Sequence, residues 1–251
     1  MKIYGTTLLA SFYCLLLTAE VALAKFDHSL FDEILKTHVK SGLVNYVALK
    51  EDKRLENYLA LLSEADLALL DTREEKMAFW INAYNAYTLK LIVAHYPTAS
   101  ILDIPHKKYE SPWEIPLAKV AGQTHTLDHI ENGILRVKFP DSRIHYALVC
   151  AARSCPQLRS EAYTEERLYD QMNEQGTWFM ENRNSFDLKT RTMNLSKVFE
   201  WYAVDFGEDA SETLRTIAPF TNPSIRESIE KNSKAWKITF SEWDWRLNLQ
   251  N

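Results

Sequence analysis

Hydrophobic positions along the chain follow a helical repeat in most places and a strand repeat in a few. Phe26, Leu30, Phe31, Ile34, Leu35 and Val39 recur at helical spacing, which predicts a helix over 26–39 ended by Ser41-Gly42. A short extended stretch, 43–49, leads to a second helix over about 51–64 with Leu55, Tyr58, Leu59, Leu61 and Leu62. The longest element follows. Asp71-Thr72 supply a cap, Arg73 to Lys76 make a charged first turn, and Pro97 stops the helix after His95. It is about 35 Å long at 1.5 Å rise per residue. From Met77 to Val93 it is apolar nearly all round, so it belongs in an interior. Asn82 and Asn85, three apart, share one of its faces.

Beyond a Pro-rich loop the pattern changes. Residues 117–127 read as a hairpin turning at Ala121-Gly122-Gln123, and Asp128 with Glu131 reads as a capping box opening a helix to about Lys138. Arg143 to Cys150 reads as a strand. Helical spacing returns over 164–180, a hairpin is expected over 185–194, and helical segments over 196–202, 211–218 and 223–233 precede a strand-like end over 236–248. The expected fold is α+β: a single domain over 25–251, with an antiparallel sheet packed around a long central helix.

The first 24 residues carry Lys2, a short apolar run and the small-residue pattern Ala22-Leu23-Ala24, which predicts a signal peptide cleaved after Ala24. The run is short of the roughly 20 residues that span a bilayer. The mature chain is therefore expected in the periplasm or outside the cell, with no membrane span. A net charge of −5 gives no basic field, which argues against nucleic acid as a partner. No phosphate-binding glycine loop, serine-hydrolase elbow or cofactor motif is present, so no cofactor is expected.

Candidate chemistry gathers in His145 to Leu158, HYALVCAARSCPQL. Cleavage after Ala24 would leave Cys150 and Cys155 as the only cysteines, spaced C-x4-C. They could be a nucleophilic or redox thiol pair, a buried apolar pair, or a disulfide whose short loop stabilises by only roughly 2 kcal/mol. His145 is the base to consider, yet on an unbroken strand residues 145 and 150 face opposite sides, roughly 16 Å apart. Asn82 and Asn85 are either a polar platform for a ligand or ties to neighbouring backbone. His125 and His129 have the spacing of a metal pair, but the capping box puts them on different elements, so no metal site is expected.

Six stretches together carry a resemblance: GLVNYVAL (42–49), FWINAYNAYTLKLI (79–92), LDHIENGILR (127–136), DSRIHYALVCAARSCPQL (141–158), WYAVDF (201–206) and WDWRLN (243–248). In this order they resemble the domain-of-unknown-function 547 family. That family is similar in shape to papain-like and transglutaminase-like thiol enzymes, which implies a hydrolase or acyltransferase. In those enzymes a cysteine opens the central helix; here the helix offers Asn82 and Asn85 instead, and His145 matches the strand histidine. The resemblance therefore implies either a nucleophile moved to Cys150 or Cys155 or a thiol-enzyme site that has been lost.

The leading expectation is an exported thiol-dependent hydrolase or transferase acting on a peptide-like or thiol-containing small substrate. Cys150 is its nucleophile, His145 its base and Glu131 or Asn82 the orienting group, with Asn85, Arg153, Ser154 and Cys155 as binding residues. Two alternatives stand beside it. One is a non-catalytic module binding a peptide, glycan or small molecule through its aromatic surface, and the other is a redox-active cysteine pair.

Overall fold

The computed structural model describes residues 25–250; the expected signal peptide lies outside the described residues. The first helices are α1 (Ser29–His38), α2 (Tyr46–Glu51) and α3 (Lys53–Glu64). They pack around α4 (Arg73–His95), whose bounds match the sequence expectation. Thr72 caps α4 by accepting a hydrogen bond from the Glu75 amide at 3.0 Å, and the Glu75 carboxylate accepts from the Asp71 amide at 2.8 Å. The first bond satisfies one of the orphan amides at the helix start, and the second holds the residue before the cap. The stretch 43–49, expected extended throughout, keeps only Leu43–Val44 extended before α2 begins. Asn45 starts that helix by accepting from the Ala48 amide at 3.1 Å.

Strand content divides into three small sheets. Strands β1 (Val39–Lys40) and β2 (Leu43–Val44) pair antiparallel, as do β3 (Ala118–Val120) and β4 (Gln123–His125). In the third sheet β5 (Ser185–Asp187) pairs antiparallel with β6 (Thr192–Leu195), and β6 pairs parallel with β7 (Lys237–Phe240). The class is α+β around a long central helix, with antiparallel hairpins and one parallel pair.

The interior forms two apolar clusters. One surrounds α4 and takes in the first three helices and the β3–β4 hairpin. The other joins the third sheet to α8 (Val198–Trp201), α9 (Ala203–Phe206), α10 (Ala210–Ile217) and α11 (Pro223–Asn232). Two helices bridge them. Helix α6 (Ile144–Ala147) gives Ile144 and Ala147 to the first cluster and Tyr146 to the second; α7 (Leu168–Arg183) gives Leu168 and Met172 to one, Phe179 and Met180 to the other.

The two asparagines of α4 tie distant backbone to the helix. Asn82 Nδ2 donates to the Tyr163 carbonyl at 2.8 Å, and its Oδ1 accepts from the Tyr163 amide at 2.9 Å. Asn85 Nδ2 donates to the Ala147 carbonyl at 2.9 Å, and its Oδ1 accepts from the Val149 amide at 3.1 Å. The last residues stitch the surface together: the backbone near Val44, Ser100 and Ala152 bridges Leu249, Arg246 and Leu247. Tyr46 donates to Asn248 Oδ1 at 2.6 Å, and Asn248 Nδ2 donates to the Gly42 carbonyl at 3.1 Å. Gly42 has φ 76°, and a Cβ there would lie 2.5 Å from the Gln157 Cβ. Only glycine fits that turn.

Removing an Asn amide while keeping its bulk tests these ties. Asn85→Leu leaves the Ala147 carbonyl and the Val149 amide buried and unpaired, each at a cost of about 1–3 kcal/mol. The expected result in urea unfolding is a lower midpoint with an unchanged slope. A variant as stable as the parent would show that these two bonds do not hold the segment.

Candidate functional site

The segment 143–150 is not the strand its apolar run suggests. Asp141 accepts hydrogen bonds from the Arg143 amide at 3.0 Å and, through its carbonyl, from the Ile144 amide at 3.1 Å, which starts a turn that continues as α6. The chain becomes extended at Leu148, the C-terminal cap of that helix. Strand parity therefore does not apply across 145–150. His145 and Cys150 both line one cleft of about 340 Å³.

His145 is buried and held from several sides. Its Nε2 lies 2.7 Å from Asp205 Oδ2 on α9, and a carboxylate can only accept, so Nε2 carries the proton and donates it. Nδ1 lies 3.8 Å from the Glu131 carboxylate. The Tyr202 ring stacks on the imidazole with centroids 4.0 Å apart, and the Arg136 guanidinium sits 5.2 Å over the same tyrosine ring. Arg136 also grips Asp205, donating from Nε at 2.5 Å and Nη2 at 2.9 Å. The His145 hydrogen bond above all, and then that of Arg136, holds the Asp205 carboxyl well below the usual carboxylate range against the opposing effect of burial.

Glu131 was expected as a capping residue, and the structure gives it another place. Asp128 is already helical and caps nothing with its side chain. The Thr126 hydroxyl instead accepts from the His129 amide at 2.9 Å, so the helix begins earlier. This helix, α5, is π-wound over His129–Leu135 and ends in an α-helical turn, Arg136–Lys138. Such windings are frequent at functional sites. Glu131 is buried, 7% exposed, and lines the cleft. The Tyr84 and Tyr202 hydroxyls turn toward it, and burial first, then the charge of Glu131, pushes both phenols well up.

The remaining walls are aromatic. Trp113, Trp201, Trp243 and Trp245 line the cleft with Tyr84 and Tyr202. Trp201 lies 4.7 Å from Trp243 and 5.9 Å from Trp245 between centroids, and Trp113 lies 6.0 Å from Trp245. Beside the two phenols the lining carries Asp128, Glu131 and His145; no lysine or arginine is among the described lining residues. The cleft is acidic and aromatic.

Cys150 and Cys155 form a disulfide, with Cα atoms 6.1 Å apart. The loop between them places Ala151 at φ 59°, a left-handed conformation costing a residue with a Cβ roughly 1–2 kcal/mol. The C-terminal segment braces it: Asn248 donates its amide to Ala151 and Arg153 donates its amide to Arg246, at 3.0 and 2.8 Å. In the disulfide neither sulfur is a nucleophile.

The other residues singled out by sequence lie around the cleft. Asn82 and Asn85 are fully engaged with backbone and do not line it. Ser154 accepts from the Asp244 amide at 2.8 Å, and Arg153 reaches the Leu247 carbonyl at 3.4 Å. Both fix the C-terminal segment. His125 and His129 stack with their Nδ1 atoms 3.0 Å apart, one donating to the other. Among the described residues no three metal-ligating side chains gather. Asp205 escaped sequence reasoning although it lies in the motif WYAVDF, because nothing local pairs it with a histidine 60 residues earlier.

The family described as "Protein of unknown function, DUF547" matches residues 67–180. The matched stretch contributes Tyr84, Trp113, Asp128, Glu131, His145 and Cys150 to the cleft, while Trp201, Tyr202, Trp243 and Trp245 lie beyond it. No curated protein and no solved structure gives a match.

The position of Asp205 sets a pH dependence. Its carboxyl lies lower when folded than when unfolded, so its stabilisation is fully present above the ordinary aspartate value, about 3.9. It is lost as pH falls through the lower folded value. Asp205→Asn should therefore be less stable than the parent at pH 7, with the gap narrowing below about pH 4. Urea unfolding at pH 7, 5 and 3 measures it. A gap independent of pH would mean that the charge on Asp205 contributes nothing.

Proposed function

We propose that this chain, whose residues 67–180 match the DUF547 family, is an exported binding domain whose cleft holds a small organic cation. Export is the reading of the leader over 1–24, which places the domain in the periplasm or outside the cell as a single unit. Among the described residues no helix is long and apolar enough to cross a membrane. One observation carries the ligand class: four tryptophans line the same cleft as the buried Glu131 carboxylate, and the described lining has no lysine or arginine to neutralise it. Aromatic faces attract a desolvated cation by roughly 2 kcal/mol, and a buried acid adds a directed charge. A quaternary ammonium, an amine or the amino end of a short peptide has the required chemistry.

The hydrolase reading uses the same cleft and is less well supported. It needs Cys150 reduced and an imidazole nitrogen free to take its proton. Nε2 of His145 is occupied by Asp205, and Nδ1 faces Glu131. Nε2 donates to Asp205, so Nδ1 is the unprotonated nitrogen that could take a proton; what weighs against the reading is that Cys150 is held in the disulfide. The structure-matched partner of His145 is Asp205, with Glu131 on the other side of the ring.

Choline and its uncharged isostere 3,3-dimethylbutanol separate charge from shape. Choline is expected to alter tryptophan fluorescence saturably. Glu131→Gln and Trp245→Ala should each weaken it about tenfold, equivalent to ~1.4 kcal/mol. The isostere should bind more weakly than choline. Equal affinity for the two probes, or no binding of either, would refute the assignment of a cation site.

A further inference from the structure

The disulfide separates two unlike clefts. Cys150 is part-exposed and lines the aromatic, acidic one; Cys155 is buried, 2% exposed, and borders a second cleft with Arg153 and Arg183. The two sulfurs therefore differ in access and in electrostatic setting. Cys155 Sγ accepts from the backbone amides of Cys150 and Ala152, at 3.3 and 3.4 Å. Negative charge on that sulfur is stabilised by both amides, and the nearby guanidinium groups favour it further.

We propose that Cys150–Cys155 is an exchangeable disulfide, attacked at Cys150 by an aminothiol entering the aromatic cleft. The sulfur assignment follows from access and leaving-group stabilisation. The amino group in the substrate rests on the reading of the cleft as a cation site. An external thiolate forms a bond to Cys150 Sγ while the bond to Cys155 breaks, and Cys155 departs with the electron pair as a thiolate. A second thiolate then attacks the external sulfur of the mixed disulfide and releases Cys150 as a thiolate. Two external thiols are oxidised to one disulfide, the protein disulfide is reduced to a dithiol, and the protons of the two external thiols end on the two cysteines or in solvent.

The surrounding structure permits this without unfolding. The loop is held by Asn248 on Ala151, Arg246 on Arg153 and a backbone bridge between Ala152 and Leu247, none of which needs the sulfur–sulfur bond. Asn85 fixes Val149, the residue before Cys150, to the central helix. The attacked sulfur thus stays at the cleft wall in both redox states.

The folded protein tests the inference with three thiols: cysteamine, 2-mercaptoethanol and mercaptoacetate. Samples are quenched in acid, alkylated and read by mass spectrometry, with rates expressed per thiolate. Native protein should be reduced without denaturant, with cysteamine about tenfold faster than mercaptoacetate at low salt and the gap closing as salt screens the cleft. Peptide mapping should place the mixed disulfide on Cys150, and Cys155→Ser treated with cystamine should accumulate the same adduct. Reduction only after denaturation, or an adduct on Cys155 in the native wild-type protein, would overturn the exchange. Equal rates for the three thiols would overturn the aminothiol assignment, and choline binding reports independently whether the cation site itself stands.

Discussion

The Asn85 amide is the interaction on which the site depends. It is buried in the central helix and satisfies both the carbonyl of Ala147 and the amide of Val149. Those two groups flank the point where the chain leaves α6 and becomes extended. An apolar side chain there would leave two backbone groups without partners, and a shorter polar one would not reach both. The clamp fixes His145 on one side of the transition and Cys150 on the other. Tyr84, one residue earlier on the same helix, reaches the cleft directly. A helix apolar on almost every face thus acts on the site through the Asn85 amide and the Tyr84 side chain.

Charge is distributed in a way that separates the two faces of the 150–155 loop. Toward the aromatic cleft stand Asp128 and Glu131; Arg136, which balances Asp205, sits over the Tyr202 ring and is not among the described lining residues. Toward the second cleft stand Arg153 and Arg183. Arg183 donates to the Cys155 carbonyl at 3.3 Å, so one of these cations is positioned by the loop itself. A buried charge needs directed partners to offset its desolvation. Asp205 has them in His145 and Arg136, whereas Glu131 is left with two phenols and a distant imidazole nitrogen.

The long helix was legible because its signals agree: a capping threonine, an apolar run too long for a strand, and a proline beyond the end. The β3–β4 and β5–β6 hairpins were legible from their turns. Residues 143–150 misled because a continuous apolar run has no period of its own, and the choice between helix and strand fell to tertiary contacts. Glu131 was selected for the site, yet its local pattern pointed to capping; a threonine two residues before Asp128 took that role. Asp205 and the tryptophans of 201, 243 and 245 are visible as residues, but their convergence is a property of the second apolar cluster and the C-terminal segment. No spacing in the sequence expresses it.

That convergence has a kinetic side. The cleft draws Tyr84 and Trp113 from the first half of the chain and Trp243 and Trp245 from near the end of the described residues. Contacts between residues so distant in sequence carry a large loop-closure cost and form after the local helices and hairpins. The pocket is built from such long-range contacts, and its lining by Trp243 and Trp245 is missing from any fragment that stops before the WDW motif. Trp243 and Trp245, near the end of the described residues, line this cleft as directly as Tyr84 of the central helix does.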